Sequence, residues 1–294
     1  MNFYGKNLNA YKANLHSHTT NSDGGYTPEE LIQIYAENSY DVLAFTDHRK
    51  TNRVSSYDGK GMTLVSGIEL HPVGPRNIPW HLLALNVPED FPGEYETAQD
   101  AITAVILAGG IVFCAHPHWC GFSSADVLSL NGISGIEIYN TSCRGIGKDY
   151  NDQCWDELVN AGFFRGAVAV DDTHGSWHLF GGWTMILAED PSVPSLMDAL
   201  QRGDFYATQG PVFHRIELKG RTFEADFSEA VEVILLAPNS RGVCLTAPNF
   251  PKYGDHNTLT TFSKELPPNF PGPVRCHIRD KEGKYAWSNP VCLP

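Results

Sequence analysis

The feature that most constrains this chain is a repeated one: an apolar run of strand length that ends in histidine, aspartate or glutamate. Asn14-Leu15-His16-Ser17-His18 is the first case, with Asp23 five residues further on. On an extended backbone His16 and His18 point to the same side, because strand side chains alternate with period 2. Two imidazoles on one side are half of a metal site. Residues 41–46 then run into Asp47-His48, residues 63–68 into Glu69, residues 111–115 into His116-Pro117, and residues 167–170 into Asp171-Asp172-Thr173-His174. Residues 82–87 break the rule, since His81 precedes the run. Residues 135–139, which carry Glu137 and end at Asn140, complete seven strand candidates.

Helices fall between most of them. Gly24-Gly25 interrupts the chain, and Thr27-Pro28-Glu29-Glu30 starts a helix with Thr27 as N-cap, Pro28 at the first helical position and Glu30 closing a capping box. Further helices are expected over 95–108, near 123–130, and over 152–160 and 192–203. Strands alternating with helices predict a largely parallel sheet closed into a barrel. In such folds the site lies at the carboxyl ends of the strands, where these ligand-type residues gather. Scattered core histidines would not respect strand ends in this way.

From about Pro211 the texture changes. Short alternating runs at 213–218, 231–237 and 274–278 are broken by Pro267-Pro268 and Pro271-Gly272-Pro273, and no helical period persists. We expect residues 1–210 to form the barrel and residues 211–294 a small all-β, sandwich-like domain without a metal cluster.

Charge and cysteine content narrow the partners. The formal net charge is −13, from 34 acids against 21 bases, which disfavours a basic groove for long nucleic acid. Bound divalent cations would offset this locally, so a small phosphorylated substrate fits. Seven cysteines in no regular framework read as reduced thiols, as in the cytoplasm. No run reaches membrane-spanning length, and residues 1–12 lack an apolar signal core.

The ordered motifs NLHSHTTNSDG, AFTDH, SGIEL, WHLLAL, CAHP and VDDTH, over residues 13–174, resemble the PHP (polymerase and histidinol phosphatase) family of metal-dependent phosphoesterases. The later GGWTMILAE and ALQRGDFYATQGP segments resemble its stand-alone bacterial members. The resemblance implies an α/β fold, a distorted seven-stranded (β/α) barrel with two or three divalent metals at its C-terminal mouth. It puts His16, His18, Glu69 and Asp172 on one metal. Glu69 would bridge to a second held by His81 and His116, and Asp23, His48 and His174 would hold a third. Asp23 stands where some members have histidine.

Imidazole and carboxylate donors without thiolates suit zinc, manganese or iron. Two such ions about 3.5–4 Å apart can generate a hydroxide and clamp a phosphoryl oxygen. Glu69, Asp172, His174 and Asp47 are therefore the candidate catalytic residues, His174 or Asp47 as general acid. Asp47 has a competing role in orienting His48. Asp171 reads as a structural neighbour and Cys114 as an inert buried thiol. Arg144 is the leading cation for a substrate phosphate, with Arg49 and Lys148 behind it, and His118, Trp119, Trp177 and His178 sit where they could line a pocket. The expected activity is hydrolysis of a nucleotide or sugar phosphate. The alternatives are cleavage of a carbamate or carboxylic ester at the same metals, and a non-catalytic binding or adhesion module.

Overall fold

A computed structural model describes residues 1–248 and 257–294. The chain opens with two short strands, β1 (Asn2–Phe3) and β2 (Lys6–Asn7), and then enters the strands that carry the polar motifs: β3 (Asn9–Asn14), β4 (Val42–Phe45), β5 (Thr63–Leu70), β6 (Leu82–Leu85), β7 (Ile111–Cys114), β8 (Gly135–Asn140) and β9 (Gly166–Val170). These pair in sequence order, β3 to β9. The fold is thus a mixed α/β one built on a large sheet. β4 is buried at every position, as a strand covered on both faces must be. Helix α1 (Pro28–Glu37) starts at the expected capping box, Thr27 accepting from the Glu30 amide and Glu30 from that of Thr27. Helices α2 (Ala98–Leu107), α3 (Pro117–Cys120), α4 (Ser124–Leu128), α5 (Asp152–Asn160) and α6 (Val193–Arg202) follow.

Pairing is parallel from β3 to β5 and from β7 to β9, but β6 runs antiparallel to both its neighbours. The short return after β5 allows a hairpin, whereas a parallel crossover needs a dozen residues or more. Reversal of β6 explains why His81 precedes its strand: the amino end of a reversed strand lies at the same rim as the carboxyl ends of the others. Beyond its last sheet residue, the β3 segment meets the end of β9. The Asp172 amide donates to the His16 carbonyl and the His18 amide to that of Thr173.

The other edge of β3 pairs with β10 (Trp183–Ala188), and β10 pairs with β11 (Phe205–Thr208). The remaining strands are β12 (Phe213–Lys219), β13 (Thr222–Ala230), β14 (Glu232–Leu236), β15 (Gly242–Thr246), β16 (Leu259–Glu265), β17 (Arg275–Arg279) and β18 (Tyr285–Ser288). β18 pairs with β11, so the large sheet continues through β17, β14 and β15, while β12, β13 and β16 join β1 and β2 in a second, five-stranded sheet. Phe3, Phe213, Phe223, Phe227, Val233, Leu235 and Ile278 pack in one apolar cluster of this region. No helix among the described residues is long and apolar enough to cross a membrane.

Candidate metal centre

The ends of β4, β5, β7 and β9, with the start of β6, deliver side chains to one cavity of about 230 Å³, lined by Asp23, His48, Glu69, His81, His116, Trp119, Ser142, Cys143, Asp172 and His174, with His16 and His18 packed behind Glu69 and Asp172. Glu69 lies at its centre, buried. Its Oε2 is 3.6 Å from both His16 Nε2 and His18 Nε2, and its Oε1 is 2.7 Å from His81 Nδ1 and 3.4 Å from His116 Nε2. Asp172 Oδ1 completes the first group, 3.0 Å from His18 Nε2 and 3.4 Å from His16 Nε2. Asp23, more than half exposed, lies 3.4 Å from His48 Nε2 and 3.5 Å from His174 Nε2 through its two oxygens. All nine ligand-type residues expected from the sequence therefore converge, although their ligand atoms also group in other ways, His18 with Asp23, His48 and His174, and Cys120 with His81 and His116.

Local sequence makes these placements possible. Gly24 folds the Asp23 turn back on the strand end so tightly that a Cβ there would meet the His18 carbonyl oxygen at 2.2 Å. His116 and Asp172 have φ of 24° and 52°, a left-handed backbone that non-glycine residues adopt at a cost and that collects at functional sites. Both turns aim a ligand-type side chain into the cavity.

The buried charges are mutually dependent. Burial would push the His16 imidazole down, but Asp172, Glu137 and Glu69 outweigh it and hold its pKa well above the ordinary value. Burial would likewise raise Glu69 and Asp172, yet the surrounding imidazoles hold both carboxylates well below their usual range. His81 is pushed down to about 4 by burial, against the attraction of Glu69. Even so, Glu69 Oε2, Asp172 Oδ1 and His18 Nδ1 stay buried without a properly aligned hydrogen bond among the described residues. Leaving such atoms unpaired is costly. Divalent cations, which accept oxygen and imidazole donors at once, match this donor set.

Two residues of the centre escaped the sequence reading. Glu137, fully buried, accepts from His16 Nδ1 at 2.6 Å, from the His116 amide at 2.9 Å and from Asn140 Nδ2 at 2.9 Å. It thereby turns His16 Nε2 toward Glu69 and Asp172, as a carboxylate behind a metal-binding histidine does. The signal was a glutamate within an all-buried strand. His71 is the other: its Nε2 lies 2.8 Å from His48 Nδ1 and 3.5 Å from Glu69 Oε2. It follows Glu69 by two residues, the spacing that marked His16 and His18.

Six residues with expected roles are engaged elsewhere or lie outside the cavity wall. Asp47 is buried and already accepts from the Thr19 amide, Thr19 Oγ1, Ser22 Oγ and Asn52 Nδ2, so it braces the loop before Asp23 and has no lone pair free for acid catalysis. Arg144 Nη2 donates to the Trp177 carbonyl on the exposed rim, and Arg49 faces Glu94. His118 turns toward the Tyr150 carbonyl and lines a different groove, because α3 alternates its faces and gives the cavity to Trp119 instead. Trp177 is exposed, and His178 Nδ1 accepts from the His174 amide. Cys114 is buried, and all seven cysteines are free thiols.

No family model matches the chain. Two curated proteins, the 5'-3' exoribonuclease Rnm of Escherichia coli (strain K12) and that of Salmonella typhimurium (strain LT2), are each 38% identical to it over 79 residues. Those residues cover 25% of this chain and 27% of each relative, so the match spans about a quarter of their length. Over nearly the whole chain the backbone is similar to a two-domain protein from Bacteroides vulgatus ATCC 8482 containing a predicted PHP-like metal-dependent phosphoesterase. The TM-score is 0.56 and the identity 14%, covering 97% of this chain and 96% of that one. The chain has the fold of that PHP-like, two-domain protein.

Proposed function

We propose that the chain is a metal-dependent phosphoesterase with two or three divalent ions at the mouth of a distorted seven-stranded barrel, residues 1–210, followed by a sandwich-like β domain, residues 211–294. One observation carries the reading: Glu69 and Asp172 are buried inside a ring of imidazoles, each with one oxygen that has no aligned hydrogen-bond donor among the described residues. His16, His18, Glu69 and Asp172 would hold one ion, Glu69, His81 and His116 a second, and Asp23, His48 and His174 a third. Such ions supply Lewis acidity and lower the pKa of water. Zinc, manganese and iron all suit the donors.

The protein's own groups do the rest. Glu69 presents one oxygen to each of two ligand groups and fixes their separation. His174 Nδ1 lies 2.9 Å from the Asp172 carbonyl and donates to it, so its Nε2 is the atom that would hold the third ion or, where that position is not filled, carry a proton to a leaving oxygen. A cavity of about 230 Å³ is smaller than a typical drug-sized pocket and holds the reacting group, with the remainder of the substrate on the rim. A small phosphorylated molecule, a nucleotide or sugar phosphate, meets that limit. The 5'-3' exoribonuclease relatives add the 5' end of an RNA to the candidates.

A second reading, cleavage of a carbamate or carboxylic ester, draws on a specific feature: Trp119 lines the cavity, and no lysine or arginine does so among the described residues. Metal-loaded protein should be assayed against nucleotides, sugar phosphates, short 5'-phosphorylated RNA, carbamates and carboxylic esters. Chelator-sensitive turnover of phosphoesters is expected. Turnover confined to the neutral esters would replace the first reading by the second.

A further inference from the structure

We infer that His71 is a metal-ligating residue, forming with His48 and Glu69 a cation position that lies outside the three groups the resemblance implies. It rests on the proposal that the mouth binds divalent ions, and adds a residue to that shell.

The argument is geometric. His71 follows the last residue of β5, two positions after Glu69, so both side chains leave the strand on the same side. Its ring is mostly buried, with 9% of the side chain exposed, and packs against His48 and His81 at centroid distances of 4.7 and 4.2 Å. Three donor atoms close a triangle: His48 Nδ1 to His71 Nε2, 2.8 Å; His48 Nδ1 to Glu69 Oε2, 2.7 Å; His71 Nε2 to Glu69 Oε2, 3.5 Å. The edges of the His16, His18, Glu69 and Asp172 group are of the same order, 3.0–3.6 Å. Two imidazole nitrogens facing one another at 2.8 Å share at most one proton between them. Beside them, Glu69 Oε2 is a buried oxygen without an aligned donor. A cation in the triangle satisfies all three atoms.

The arrangement also gives His48 two faces. Its Nε2 looks toward Asp23, which is more than half exposed, and its Nδ1 toward buried Glu69 and His71. The inner position is the drier of the two and needs no reorganisation of the exposed Asp23 turn. An ion served by His48 therefore has an inner site that survives loss of Asp23.

Direct metal binding tests this without recourse to turnover. Apo protein is titrated with Mn²⁺ and Zn²⁺ by calorimetry, for wild type, His71→Ala, His71→Gln and Asp23→Asn, with circular dichroism to confirm folding. Removing His71 should delete one binding step or weaken it at least tenfold, and Asp23→Asn alone should keep that step. Identical isotherms for wild type and both folded His71 variants would overturn the inference. Should neither variant fold, anomalous scattering from Mn²⁺- or Zn²⁺-loaded wild-type crystals decides. A peak at bonding distance from His71 Nε2, about 2.0–2.1 Å for zinc, supports it, and peaks confined to the other groups overturn it. Failure of all metal binding would instead remove the underlying proposal, a distinguishable result.

Discussion

Asp171 and Asp172 are consecutive and both buried, yet the structure treats them in opposite ways. Asp171 accepts from the Tyr35 hydroxyl, from Thr141 Oγ1 and from the amides of Phe180, Gly181 and Gly182. Burial raises its pKa despite those donors, which are all neutral. Asp172 faces His16, His18 and His116 instead, and its pKa is held well below the usual range although burial opposes this. Asp47 and Glu137 belong with Asp171, their oxygens taken up by neighbouring groups, while Glu69 belongs with Asp172. The mouth is thus two shells: an outer one of spent carboxylates that holds loops and rings in place, and an inner one with lone pairs still to give. Burial alone does not separate them; the supply of donors does.

The strongest way to break this division is to neutralise the inner shell. Glu69→Gln and Asp172→Asn keep size and remove the charge that would offset the proposed cations. Phosphoester turnover in each should fall at least about 10²–10³-fold, the scale of losing one electrostatic contact to a reacting centre, with the circular dichroism spectrum unchanged. Either variant retaining more than a tenth of wild-type turnover would place its carboxylate in the outer shell.

Next in size is the outer shell itself. Asp171→Ala strands the amides of Phe180, Gly181 and Gly182, whereas the Tyr35 and Thr141 hydroxyls keep Thr173 Oγ1 and the Val170 carbonyl; each unpaired buried donor costs about 1–3 kcal/mol, less than additively. We expect a loss of at least about 3 kcal/mol, a Tm drop of roughly 6–12 °C, with no change in the number of metal ions bound at 20 °C. Loss of metal from a still-folded variant would merge the two shells.

The convergence of the polar side chains was legible because strand ends are visible as the close of an apolar run, and His16, His18, Glu69, His116 and Asp172 all sit there. The parity of a strand made His81 look exceptional until the reversal of β6 brought it to the same rim. Asp47 could not be told from its neighbour, because the donors that occupy it come from Thr19, Ser22 and Asn52, two separate loops. Glu137 hid inside a strand, and His71 obeyed a rule that had been applied to only one strand. The run of strands β12 to β18 was visible as a change of texture after Pro211, but their division between the two sheets was not. Its junction with β1 was not, since pairing partners across some 200 residues leave no local mark, nor was the pairing of β11 with β18 that carries the large sheet into this region.

The smallest expected effect concerns the rim. Arg144 is committed to the Trp177 carbonyl and absent from the cavity wall. Arg144→Ala should therefore change kcat/KM by no more than about twofold, the range of an ordinary surface substitution, for phosphoesters and neutral esters alike. A selective loss of tenfold or more on phosphoesters would bring the guanidinium back to the substrate.

The reversed β6 strand has a consequence for how the centre comes together during folding. Glu69 and His81 are 12 residues apart, on the two arms of one hairpin, whereas His16 and Asp172 are separated by 156 positions. Closing the longer loop costs roughly 2 kcal/mol more chain entropy, from the logarithmic dependence on length. The half of the centre built on Glu69, His71 and His81 is therefore available early and locally, and the half built on His16 and Asp172 waits for the first and last of the site's strands to meet. An ion held by the hairpin would arrive before its neighbours, and its presence would favour the compact chain in which that final closure occurs.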